Sequence, residues 1–146
     1  MPDTKRFNIR VYGIWIKDDK VLVNDELIRG TQVIKFPGGG LDWGEGTIEC
    51  LKREWKEELD LDIDIVDHFY TTDYFQHSAY DDSQVISIYY LITAPNAPDV
   101  IVNTEENERT YWMDMQEISA QTFTLAIDRK VGNMLQELYT SKAASN

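Results

Sequence analysis

Three glutamates, Glu54, Glu57 and Glu58, stand at positions i, i+3 and i+4 of the segment Arg53-Glu54-Trp55-Lys56-Glu57-Glu58-Leu59. On a helix turning about 100° per residue, those spacings share one face. Carboxylates held so close repel one another, and a hard divalent cation is their natural neutraliser. Mg2+ prefers such oxygen ligands and usually keeps waters and substrate phosphates in its shell. Just upstream lies Pro37-Gly38-Gly39-Gly40, a stretch that can approach a ligand closely and offer backbone carbonyl or N–H groups. Taken alone, clustered glutamates more often mark a solvated helix face.

The elements that must position these groups follow from apolar periodicity. A helix is expected to begin near Thr47 as its N-cap, with Glu49 in the first turn. Ile48, Leu51, Trp55 and Leu59 then recur at spacings of three and four and form an apolar seam beside the acidic face. Before the helix, Asn8 to Ile16, Val21 to Val23 and Gln32 to Phe36 read as strands, and Pro37 to Gly40 as a loop. After it come two strand-like stretches, Ile63 to Phe75 and Gln84 to Thr93, around a polar loop from Gln76 to Ser83. A short strand at Tyr111 to Met113 and an amphipathic helix from Ile127 to Tyr139 follow, with Ile127, Val131, Met134, Leu135 and Leu138 on one face. Strands mixed with two separated helices predict an α/β (α+β) fold, an α/β/α sandwich around a mixed sheet. The expectation is a single domain spanning residues 1–146.

Composition narrows the classes of function. The chain has 146 residues and a formal net charge of −12, which disfavours a broad nucleic-acid-binding face. A small phosphorylated substrate stays open, because a bound cation reverses the local field. No apolar run approaches a membrane span, and Met1 to Arg6 lacks the apolar stretch of a secretory signal. The lone cysteine, Cys50, allows neither an intrachain disulfide nor a cysteine metal cluster. A cytoplasmic location without a membrane partner is the default expectation.

From Gly39 the sequence reads GGLDWGEGTIECLKREWKEELDL. It resembles the box of the Nudix hydrolase family: Gly, five residues, Glu, seven residues, then Arg-Glu-U-x-Glu-Glu-x-Gly-U, where U is bulky and apolar. Gly39, Glu45, Arg53, Glu54, Trp55, Glu57, Glu58 and Leu61 occupy the matching positions. A chance match with one mismatch is of order 10⁻⁵ for a chain this long, from average residue frequencies. Asp60 departs, standing where the family has Gly. That position often needs a left-handed backbone, which Asp tolerates at a cost of about 1 kcal/mol.

The resemblance implies a Nudix-type fold, an enzyme and a set of roles. Glu54, Glu57 and Glu58, with the Gly39 or Gly38 carbonyl, would hold Mg2+ or Mn2+. Arg53 would fix carboxylates through paired hydrogen bonds, with Glu45 in support. The catalytic set is thus Glu54, Glu57, Arg53 and Glu45, with Glu54 or Glu57 as candidate bases. Family members also recruit an acid from a later loop, for which Glu105, Glu106 and Glu108 are candidates. The implied reaction is hydrolysis of a nucleoside diphosphate linked to another moiety, such as a nucleoside triphosphate or a nucleotide sugar. Many members dimerise, so a homodimer is an open expectation.

Other features are weaker. Arg10, Tyr12 and Arg29 from the strands, and His77 and Tyr80 from the polar loop, are candidate substrate contacts. Trp15, Phe69, Phe75, Tyr89 and Trp112 read as core or sheet-face residues, and Cys50 as a packed small one. Asp60, Asp62 and Asp64 alternate as in a calcium loop, but Ile65 and Thr71 occupy its Gly and Glu positions, so that reading fails. Two alternatives to the hydrolase remain at this level. A non-catalytic Nudix-like domain could sense a nucleotide metabolite, although it has no chemical need for every carboxylate and Arg53, and no attached DNA-binding segment is expected. An isomerase of isoprenoid diphosphates would need a reactive cysteine near the site, and Cys50 is poorly placed for that.

Overall fold

The structure, a computed structural model, describes residues 5–144. The first four residues of the segment read for a secretory signal therefore lie outside the described residues. Strand β1 (Phe7–Lys17) turns at Asp18 and Asp19, both with positive φ, into β2 (Lys20–Ile28). A second two-residue turn, Arg29-Gly30, again with positive φ at both positions, leads to β3 (Thr31–Lys35). Such turns match the right-handed twist of a hairpin. Then follow β4 (Gly38–Gly40), α1 (Thr47–Leu59), β5 (Asp64–Thr71), β6 (Gln84–Thr93), β7 (Glu108–Asp114) and, after two short 3₁₀ turns, α2 (Ala126–Ala144).

The sheet is mixed, with β1 parallel to β6 and the other pairs antiparallel. Its central path runs β3-β2-β1-β6-β5, with β4 on β1 and β7 on β2. One feature of the register builds the site. Strands β1 and β2 pair only where they meet at the turn, Ile16 with Val21 and Lys17 with Lys20. Beyond that point β1 takes β4 as its neighbour through Arg10 to Tyr12, while β2 takes β3. The two strands splay apart, and a gap opens between them.

Side-chain alternation covers both faces of the sheet. Tyr12, Ile14, Val21, Val23 and Tyr89 pack with Ile127, Val131 and Leu135 of α2. Val11, Trp15 and Leu22 pack with Cys50, Leu51, Trp55 and Leu59 of α1. The α/β/α sandwich expected from the sequence is the observed architecture. No helix among the described residues is long and apolar enough to cross a membrane.

Several local expectations shift. Residues 38–40 form a strand rather than a loop, because glycine lets that backbone lie directly against β1. A Cβ on Gly38 would collide with the Val11 carbonyl and Tyr12. The N-cap of α1 is Gly46, not Thr47, and the Gly46 N–H donates to Glu49 Oε1 at 3.1 Å. Ile48 is 41% exposed; Cys50 takes its place in the buried seam. Strand β5 ends at Thr71, so Phe75 sits in the following loop and is exposed rather than packed in the sheet. Leu138 likewise falls on the outer side of α2. Asp60 adopts φ 53° and ψ 41°, the left-handed cap conformation that its place in the box required.

Candidate active site

Helix α1 is locked in place by Trp55. Its ring packs on the bare Cα of Gly13, and its Nε1 donates to the Pro37 carbonyl at 3.1 Å. This fixes the rotation of the helix, so Arg53, Glu54, Glu57 and Glu58 emerge beside β4. Gly39 lies so near α1 that a Cβ there would strike the Glu54 carboxylate. The glycine stretch and the first box glutamate are therefore in close contact in space.

Arg53 organises the carboxylates. Its Nε and Nη2 donate to the two oxygens of Glu45 at 3.0 and 2.7 Å, a paired geometry that fixes both planes. Nη1 donates to Glu54 Oε1 at 3.0 Å and Glu57 Oε2 at 3.2 Å, and Nη2 also reaches the Gly40 carbonyl at 3.2 Å. Glu45 Oε1 in turn accepts from the Asp42 N–H at 2.9 Å, which ties the loop before α1 to the helix. These bonds, Arg53 first, hold the Glu45 carboxyl down at about 2 and push the Arg53 guanidinium further up.

Glu58 faces inward. Burial, followed by the charges of Glu108, Glu54 and Glu26, pushes its carboxyl up to about 8 against the opposing pull of Lys35. Glu108 lies directly across from Glu26 in the β2–β7 register. Burial and the shared hydrogen bond with Glu26 raise it to about 7. Of the later-loop acids considered, Glu108 is thus the one brought beside the box glutamates. Glu105 and Glu106 are exposed on the loop before β7. Loop residue Thr104 anchors that segment to the end of α1, its N–H and hydroxyl donating to the Glu58 and Glu57 carbonyls at 2.9 and 2.8 Å.

This donor set suits a hard cation: all oxygen and rich in carboxylate, with Glu58 half-buried in the field of Glu108, Glu54 and Glu26. Among the described residues no three acidic, histidine or cysteine side chains converge into a metal cage. Glu54 and Glu57 instead turn towards Arg53.

The gap between β1 and β2 is a cavity of about 280 Å3, lined by Arg10 and Tyr12 from β1, Glu26 from β2 and Lys35 from β3. His77 and Tyr80 line it from the loop before β6, and Tyr89 and Asp128 line it from β6 and α2. Arg10 Nε donates to the Tyr12 hydroxyl at 2.6 Å. Tyr12 first, then the charges of Glu54 and Asp128, reinforce its cationic form against burial. Arg29 is not a lining residue. From the β2–β3 turn it donates to the Tyr80 carbonyl at 3.0 Å and lies over the Tyr80 ring, bracing the loop from outside.

Three lining groups escaped the sequence reading as site residues. Asp128, 2% exposed at the start of α2, accepts from the Tyr89 hydroxyl at 2.5 Å. Burial lifts its carboxyl to about 6, against the effect of Tyr89, Lys35 and Arg10. Lys35, 6% exposed, pairs with Glu26 at 3.5 Å. Glu26 is the third. For Glu26 and Lys35 the only sequence signal was a charged residue in a strand, and for Asp128 an acid in the first turn of a helix; neither distinguishes a buried charge from a solvated one.

Residues 7–133 match the family model described as the NUDIX domain, and the chain belongs to that family. Among curated proteins none matches it. Its fold resembles that of the MutT protein from Methanosarcina mazei Go1, with a TM-score of 0.74, 17% identity, and coverage of 94% of this chain and 99% of that one. A MutT NUDIX hydrolase from Burkholderia pseudomallei superposes with a TM-score of 0.71 at 15% identity, over 90% and 98% of the two chains. The ORF135 protein of E. coli gives 0.69 at 17% identity, over 97% and 94%.

Proposed function

We propose that the protein is a metal-dependent pyrophosphohydrolase that cleaves the diphosphate linkage of a nucleoside diphosphate joined to another moiety. A nucleoside triphosphate or a nucleotide sugar would be such a substrate. The observation that carries this reading is a juxtaposition. Two cations, Arg10 and Lys35, line the cavity, and each lies within the field of a box glutamate, Glu54 for Arg10 and Glu58 for Lys35. A diphosphate reaching from the cavity to the box would be held by cations as well as by the carboxylate-bound ion.

In this reading Glu54, Glu57, Glu58 and the Gly39 carbonyl hold Mg2+ or Mn2+. When bound, the ion supplies the charge that neutralises phosphate oxygens and lowers the pKa of water. The chain's own groups do the rest. Arg53 keeps Glu54 and Glu57 on one side of the helix, and Glu45 keeps Arg53 in plane. Glu54, beside Gly39, and Glu108, beside Glu58, are the groups placed to take a proton from an attacking water. Arg10, His77 and Tyr80 contact the substrate, with Arg29 acting through Tyr80. Asp128, which lines the cavity and accepts from the Tyr89 hydroxyl, is an acceptor for an amino group of a heterocycle in this reading.

The cavity is at the small end of the roughly 300–1,000 Å3 typical of ligand sites, which suits one nucleoside-sized group. The net charge of −12 likewise favours a free nucleotide derivative over a nucleic acid. A hydrolysis screen over nucleoside triphosphates, nucleotide sugars, ADP-ribose and dinucleoside polyphosphates, with and without Mg2+, tests the proposal. Mg2+-dependent release of a nucleoside monophosphate is expected from at least one class. Tight binding with no turnover of any would replace the hydrolase with a nucleotide sensor.

A further inference from the structure

Lys35 is a charge in a place where a structural role alone is a poor explanation. It ends β3, pairs with Asn24 of β2, and is 6% exposed. An ammonium carries three donors. Among the described residues its only ion-pair partner is Glu26 Oε2, at 3.5 Å, well beyond the roughly 2.7–2.9 Å of a strong charge-assisted bond. Glu26 is itself shared, since it also hydrogen-bonds with Glu108. Burial works against the Lys35 charge, yet Tyr12, Glu26 and Glu58 outweigh it and the ammonium is retained. A buried ion pair of this kind is often no more stabilising than an apolar pair of the same size. With no shorter ion pair among the described residues, the cost of burying the ammonium is left for a group in the cavity to offset.

The surroundings specify what that group is. Glu26 and Asp128 line the cavity, so an anion entering without a cationic contact would be repelled. Lys35 and Arg10 are the cations in that lining, and the charges of Glu58 and Glu54 reach them from the box. Resting on the reading of the cavity as the nucleoside site, we propose that Lys35 is a substrate-binding residue for the phosphate attached to the nucleoside. Its ammonium holds that phosphate before cleavage and keeps hold of it in the nucleoside monophosphate product. This sets the orientation of the substrate: the nucleoside lies in the cavity, the proximal phosphate on Lys35, and the second phosphate out over α1.

The test separates phosphate from nucleoside and needs no metal. Affinities of the common nucleoside 5′-monophosphates and of the matching nucleosides are measured in EDTA, for the wild type, K35M and K35R. K35M should weaken monophosphate binding roughly 10- to 100-fold, the range of a hydrogen bond to a charged group. Nucleoside affinity should hold within about twofold, and K35R should recover most of the loss. Equal weakening of both ligands, or of neither, overturns the role. As a check independent of mutant folding, the 15Nζ resonance of Lys35 in the wild type should shift with the monophosphate and not with the nucleoside. An unmoved resonance in a protein that binds the monophosphate overturns the proposal for Lys35 alone. Failure of the wild type to bind any nucleoside or monophosphate overturns the cavity reading with it.

Discussion

Arg53 meets Glu45, Glu54, Glu57 and the Gly40 carbonyl through one guanidinium. Replacing it with Ala leaves those acceptors without their donor and frees the loop before α1. Groups that orient metal ligands from behind typically contribute 10- to 100-fold, so R53A should lower kcat/KM by roughly that factor. The required Mg2+ concentration should rise with it. Lys at this position cannot reproduce the two-pronged contact to Glu45 and should recover little. Asp128 gives a second prediction, in stability. Its folded-state pKa of about 6 lies above the ordinary value of 3.8. The folded state therefore keeps a proton that the unfolded chain sheds between about pH 4 and 6. The associated stability is present below that window and lost as pH rises through it, worth at most roughly 3 kcal/mol. In urea unfolding, D128N should gain on the wild type between pH 5 and pH 7.5. A constant difference across that range would show that Asp128 is not a buried titrating acid.

At the scale of elements, the end of α1 carries a measurable strain. Asp60 closes the helix at φ 53°, and its exposed side chain returns only a surface pair with Lys56 at 3.1 Å. D60G should stabilise the protein by up to about 1 kcal/mol, a few degrees in Tm, with turnover unchanged. The α1 segment was readable in the sequence because every relation in it is local. Spacings within a helix turn decide which acids share a face, and the Arg53–Glu45 bond spans eight residues. Strand β4 was not readable: three glycines look like a loop, and only the pairing with Arg10 to Tyr12 makes them a strand. Ile48 had the right spacing for the seam, but Cys50, two residues on, turns inward in its place and leaves Ile48 exposed.

The cavity belongs to the whole molecule, and this is why its residues were only partly legible. Lys35, Glu26 and Asp128 come from β3, β2 and α2, and nothing near each in sequence marks it as buried. They meet because β1 and β2 part company after their shared turn, a consequence of long-range pairing with β4, β6 and β7. Arg10, His77 and Tyr80 were legible as polar groups on flanking elements, whereas Arg29 proved to brace the loop rather than line the cavity. The same assembly sets the central claim, that hydrolysis depends on the α1 carboxylates acting through a divalent cation. Turnover of the best substrate from the screen, measured for wild type, E57Q and E58Q across a Mg2+ titration, tests it most directly. The account predicts no turnover in EDTA, saturable activation of the wild type, and losses of about 10²-fold or more in both variants, with melting behaviour showing them folded. Wild-type rates in both variants, or turnover that persists without a divalent cation, would contradict it.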